Sequence, residues 1–62
     1  MKMWIARDFD NSLWLYDSKP KKGRYKFKVG IFTHSYRING KYFPEVTFEN
    51  SPMEIELKLI NQ

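Results

Sequence analysis

Eight basic residues share residues 18–44 with no acid between them: Lys19, Lys21, Lys22, Arg24, Lys26, Lys28, Arg37 and Lys41. Tyr25, Phe27, Phe32, Tyr36, Tyr42 and Phe43 are interleaved with them. Ammonium and guanidinium groups neutralise phosphates, and exposed aromatic rings stack on bases. The candidate ligand-binding set is therefore Arg24, Lys26, Lys28, Arg37 and Lys41 for charge, with Tyr36 and Tyr42 for stacking. Trp14 and Tyr16 form a separate candidate patch for contact with another protein. Outside the band, three cations face seven acids, so the chain is +8 in its middle and −4 elsewhere, summing to the overall +4. The same pattern also describes a half-buried sheet with a solvated cationic face.

Other chemistry is thinly represented. Asp8, Asp10 and Ser12 open like a calcium loop, but the sixth and twelfth positions, which require Gly and Glu, hold Leu13 and Lys19. The stretch reads as a turn. Glu54 and Glu56 would stand about 7 Å apart on one face of a strand; a charge ladder against Lys26 and Lys28 accounts for them without a reaction. His34, the single histidine, has no nucleophile motif beside it, and Gly23, Gly30 and Gly40 are too dispersed for a phosphate loop. With no cysteine, thiolate metal sites and disulfides are excluded together. These absences favour binding over catalysis and imply neither cofactor nor metal.

Along the chain, strand patterns recur. Met3 and Ile5 alternate with Trp4 and Ala6, and Leu13 and Leu15 with Trp14 and Tyr16. The polar residues 8–12 between them make a β-hairpin whose strands are apolar on both faces and require cover on both. Residues 18–24 read as a loop. Over residues 25–31, Tyr25, Phe27, Val29 and Ile31 alternate with Lys26, Lys28 and Gly30, predicting a strand with one buried face. Asn39-Gly40 predicts a two-residue type I′ hairpin turn with positive φ at both positions. Residues 43–48 read as extended, with Pro44 restricting them to an edge or bulge. Ser51-Pro52-Met53-Glu54 has the residues of a helix start, yet Met53, Ile55, Leu57 and Leu59 alternate with Glu54, Glu56 and Lys58. Period two makes residues 53–60 a strand, with Tyr25, Phe27, Val29, Ile31, Ile55, Leu57 and Leu59 buried together.

The fold expected is all-β: one domain over residues 1–62, a small four- or five-stranded barrel or strongly curled antiparallel sheet. A chain this short buries only about 60% of its unfolded surface, and a homodimer would reinforce it. No apolar run resembles a signal peptide or reaches the roughly 18 residues of a membrane span, so a cytoplasmic protein without membrane contact is the expectation.

Trp4-Ile5-Ala6-Arg7-Asp8, Ser12-Leu13-Trp14-Leu15-Tyr16, Lys19-Pro20 and Phe43-Pro44-Glu45-Val46-Thr47-Phe48-Glu49-Asn50-Ser51-Pro52 together resemble a group of short proteins of gut Bacteroides-group bacteria, their phages and mobile elements. The resemblance covers the two ends, roughly half the chain, and the group has no assigned activity. It implies a mobile-element product acting against host defence by binding a host component. The expected function is non-enzymatic binding of an anionic partner, a nucleic acid or nucleotide-like ligand. The alternative is a protein–protein inhibitor or adaptor using the aromatic patch and an exposed strand edge. Salt separates them, because phosphate binding weakens steeply as salt rises.

Overall fold

The computed structural model describes residues 1–58. They form β1 Lys2–Arg7, β2 Leu13–Tyr16, β3 Lys21–Lys22, β4 Phe27–Lys28, β5 Ser35–Ile38 and β6 Met53–Glu56, with no helix. Four strands make an antiparallel sheet in the order β5-β2-β1-β6, and β3 and β4 pair as a separate ribbon. The all-β expectation holds; the sheet is open, with β5 and β6 at its edges, and no closed barrel is found among the described residues. Nor is any helix there long and apolar enough to cross a membrane.

The first hairpin forms as its sequence demands, with Trp4 opposite Tyr16 and Arg7 opposite Leu13. The Asp8 N–H donates to Ser12 O at 2.8 Å. The Ser12 N–H donates to Asp10 Oδ1 at 3.0 Å. Asn11 takes φ 75°, a conformation its short polar side chain tolerates. Both faces of β1 and β2 are covered. Ile5, Leu13 and Val46 form one cluster, with Leu15, Ile38 and Ile55 against it. Ala6, Tyr16 and Phe27 form the other, bordered by Trp4, Trp14 and Phe48. Each cover is a turn-rich segment bearing one or two anchors, which is how so short a chain shields two faces of one sheet.

Val46 is held over the first face by Arg7. This residue is only 8% exposed. Its Nε donates to Val46 O at 2.6 Å. Nη1 donates to Asn11 O at 2.9 Å and Gly40 O at 3.1 Å, and Nη2 to Tyr42 O and Phe43 O, both at 3.1 Å. A guanidinium has five N–H donors in a planar fork; here all are taken by backbone carbonyls. Residues 40–46 have no strand partner, so the side chain supplies the hydrogen bonds that a ladder would otherwise provide. The Arg7 N–H donates to Ser51 Oγ at 2.9 Å, and that hydroxyl donates to Thr47 O. Ser51 is thus a tie between β1 and the loop, and its peptide bond to Pro52 is cis.

Several expectations change. Only Phe27 of the residue 25–31 series is buried; Tyr25 is 60%, Val29 42% and Ile31 92% exposed. The strand there is two residues long because β3, its partner, ends against the turn at Gly23. Asn39-Gly40 is not a type I′ hairpin, since no glycine has positive φ. Instead the Tyr42 N–H donates to Asn39 O at 3.1 Å and the Lys41 N–H to Asn39 Oδ1 at 2.9 Å, an Asx-type turn. Residues 43–48 turn instead of extending: Phe43 has φ 53° and accepts the Val46 N–H at 2.9 Å. β6 is a strand as period two requires, but Ile55 is half-buried and Leu57 44% exposed. Leu59 and the rest of the expected strand lie outside the described residues. Glu54 and Glu56 do not face Lys26 and Lys28, because β6 pairs with β1 and puts Lys2 Nζ 3.7 Å from Glu54.

Replacing Arg7 by Lys should cost more than about 3 kcal/mol, because a point ammonium cannot reach five diverging carbonyls and buried acceptors lose their partners. Urea unfolding checks it. Leu13→Ala should cost about 2–5 kcal/mol, whereas Ile31→Ala should stay within about 0.5 kcal/mol of the parent.

Candidate anion-binding face

The β3–β4 ribbon lies over the Ala6–Tyr16 face, and Phe27 is its anchor, 7% exposed within that cluster. The Phe27 N–H donates to Asp8 Oδ1 at 3.3 Å, and the Phe9 N–H to Tyr25 O at 2.8 Å. On the ribbon's inner side Lys22 reaches across Phe48, its Nζ 4.6 Å from the ring centroid and 3.1 Å from Glu49 O. The turn closes through the Gly23 N–H to Lys26 O at 2.9 Å; a Cβ on Gly23 would lie 2.6 Å from that oxygen. No other residue fits there without opening the turn.

Register decides where the charge points. Lys22 pairs with Phe27 on the inner side, so Lys21 and Lys28 stand directly opposite each other on the outer side. Like charges at opposed positions of an antiparallel pair repel. Among the described residues, none of the eight cations of the band makes an ion pair with a carboxylate; the pairs present join Met1 to Glu56, Lys2 to Glu54 and His34 to Asp17. Arg24 leans over Tyr25, Cζ 6.0 Å from the ring centroid. Lys26 lines a shallow hollow with Trp14, Tyr16 and Ser35. At the sheet edge Arg37 pairs in register with Trp14 and stacks on it at 5.7 Å.

The candidate residues thus divide. Arg24, Lys26 and Lys28, joined by Lys21, belong to the ribbon, with Arg37 on the same side of the sheet. Tyr36 lies in register with Leu15 and faces the other way. Lys41 and Tyr42 sit, exposed, in the segment that Arg7 holds over the Ile5 face. Tyr16, expected in an accessible patch, is only 4% exposed beneath Phe27, and Trp14 is half-buried with its Nε1 donating to Ser12 Oγ at 3.2 Å.

Charge elsewhere is engaged locally. Asp17 accepts the His34 N–H at 2.8 Å and lies 2.7 Å from its Nδ1. The backbone N–H of His34 is the largest of the effects that hold this carboxyl below its usual range, with the His34 ring next. The Ser12 hydroxyl and N–H do the same for Asp10, with a smaller contribution from Arg37. Sequence reasoning missed Arg7, counted there only among the three cations outside the band, and Lys21, whose outward position depends on strand register. It also placed Ile31 inside, although Gly30 before it and Thr33 after it close a turn, with the Thr33 N–H donating to Gly30 O at 3.1 Å.

No protein-family model, curated protein or solved structure matches the chain. The chemistry of this face rests on its geometry.

Burial, then the nearby Asp8 charge, pushes the Tyr16 phenol up to about 12 from 10.0. A raised folded pKa favours the neutral form, so Tyr16's contribution to stability is complete below the unfolded value and fades as pH climbs from about 10 through 12. Ultraviolet titration should show a phenolate step near 12 that Tyr16→Phe removes.

Proposed function

We propose that the ribbon and the neighbouring sheet edge bind an anionic partner, a nucleic acid or nucleotide-like ligand, without catalysing a reaction on it. The observation that carries this reading is the opposition of Lys21 and Lys28 on an outer surface with no carboxylate partner. Such a pair raises the energy of the free protein, and a bound phosphate relieves it. Arg24, Lys26 and Arg37 extend the same side, and the rings of Tyr25 and Trp14 lie under guanidinium groups that would meet phosphate first. The cations stand on an outer surface instead of ringing a closed cavity, which favours an extended polyanion over an enclosed nucleotide. The resemblance of the chain ends to proteins of mobile elements supplies a setting: a cytoplasmic product that sequesters a host nucleic acid or nucleotide signal.

A second reading, docking on a host protein, draws support from the turn at residues 30–33, where Ile31 and Phe32 are 92% and 87% exposed. Adjacent apolar side chains so fully in water suit a protein pocket.

Stability and binding should move in opposite directions in one variant. Lys28→Glu sets an opposite charge across from Lys21, so it should raise stability by about 0.2–1 kcal/mol. It should also weaken binding of a labelled single-stranded oligonucleotide, with a shallower salt dependence than the parent shows. Ile31→Ser with Phe32→Ser should leave that binding unchanged. No oligonucleotide or nucleotide binding by the parent at low salt, or equal binding by Lys28→Glu, would overturn the proposal.

A further inference from the structure

The two open edges of the sheet are complementary to each other, in hydrogen bonding and in side chains. Bonds at the ends of the ladders show which peptide groups turn inward. The Asp17 N–H donates to His34 O at 3.3 Å, continuing the β2–β5 register, and the Leu57 N–H donates to Met1 O at 2.8 Å, continuing that of β1–β6. Bonded and non-bonded pairs alternate along an antiparallel ladder. Tyr36 and Ile38 therefore bond to β2, and Met53 and Ile55 bond to β1. The N–H and C=O groups of Ser35 and Arg37 on one edge, and of Glu54 and Glu56 on the other, point outward from the sheet.

The same residues determine the faces. Arg37 pairs with Trp14 and Glu54 with Trp4, so Arg37, Ser35, Glu54 and Glu56 share the tryptophan face. Tyr36 pairs with Leu15 and Ile55 with Met3, so Tyr36, Ile38, Met53 and Ile55 share the opposite face.

We propose that a second copy of this chain adds at these edges, β5 of one copy pairing antiparallel with β6 of the next. Setting Arg37 against the next copy's Glu54 joins outward peptide groups to outward peptide groups, with both faces continuous. That register places Arg37 on Glu54 and Ser35 on Glu56 along one face, and Tyr36 on Ile55 and Ile38 on Met53 along the other. Charge meets opposite charge and apolar meets apolar along the junction. Pairing β6 with another β6 would set Glu54 and Glu56 against acids, and pairing β5 with β5 would leave Arg37 opposite Ser35 or itself. Tyr36 and Met53, 52% and 36% exposed, gain cover in the mixed register. Because the contact is heterologous, each added copy leaves one β5 and one β6 edge free, and assembly proceeds beyond a dimer unless a ring closes.

Sedimentation of the intact chain over a concentration series tests this. The parent should shift from monomer to species larger than a dimer as concentration rises. Glu54→Arg, which sets Arg against Arg37 of the next copy, should remain monomeric. So should Glu54→Pro, which removes an outward N–H and no bond of the β1–β6 ladder. Arg37→Glu alone should also remain monomeric, and mixing it with Glu54→Arg should restore association, because the junction between the two variants then joins opposite charges. Near-ultraviolet circular dichroism matching the parent confirms folding in each case. A parent that is monomeric throughout, association in Glu54→Arg equal to the parent's, or a mixture that stays monomeric overturns the proposal. The Glu54 variants leave every cation of the ribbon in place, so oligonucleotide binding by the ribbon should persist where self-association is lost, and failure of one proposal is distinguishable from failure of the other.

Discussion

The Arg7 guanidinium is a buried cation without a carboxylate, and its five donors are distributed over carbonyls from three stretches of chain: Asn11 in the first turn, Gly40, Tyr42 and Phe43 after β5, and Val46 in the loop before β6. Taking such a charge out of water costs several kcal/mol unless each proton finds an acceptor. Here the cost is offset by serving peptide groups that no strand serves. The long connection between β5 and β6 crosses the end of the sheet because this side chain holds it there, and Val46 reaches the Ile5–Leu13 cluster as a result. Remove the guanidinium and the first face of the sheet loses its cover.

The second face is covered by different means. Phe27 and Phe48 bring a short ribbon and a loop onto Ala6 and Tyr16, and the rings of Phe9, Tyr25, Phe27 and Phe48 meet edge-on or tilted around them. Only the inward-facing half of the ribbon contributes to that cover. Its outer half, with Lys21 opposite Lys28, adds repulsion to a domain whose two clusters are small. Structural need accounts for Phe27 and Lys22 but not for the outward lysines, and that asymmetry is what makes the ribbon a candidate surface for phosphate.

Open edges raise a related issue. An exposed strand edge presents unpaired peptide groups and associates readily unless blocked. Both edges of this sheet carry charge on one face and apolar groups on the other, which restricts pairing to partners that match on both. Arg37 belongs to the tryptophan face, on the side of the candidate ribbon, and to the β5 edge alike. Phosphate binding and strand addition would therefore draw on the same guanidinium, coupling the two through one residue.

What the sequence determined by itself was local. The β1–β2 hairpin, its two apolar faces and the strand at β6 are dictated by alternation and by a polar turn, all within a few residues of one another. Concentration of charge in residues 18–44 was equally plain. What tertiary structure decided was which residues those strands met. Alternation over residues 25–31 was regular, yet only Phe27 found a surface to bury against, because the ribbon touches the sheet at one point. Asn39-Gly40 carries the residues of a tight hairpin, but β5 pairs with β2 and not with residues 41–46, so the turn adopts the conformation that presents the Gly40 and Tyr42 carbonyls to Arg7. Arg7 itself looks like any arginine ending a strand. Its burial depends on carbonyls 4 to 39 residues away in the chain, and nothing in local periodicity can report a partner that only folding brings within reach.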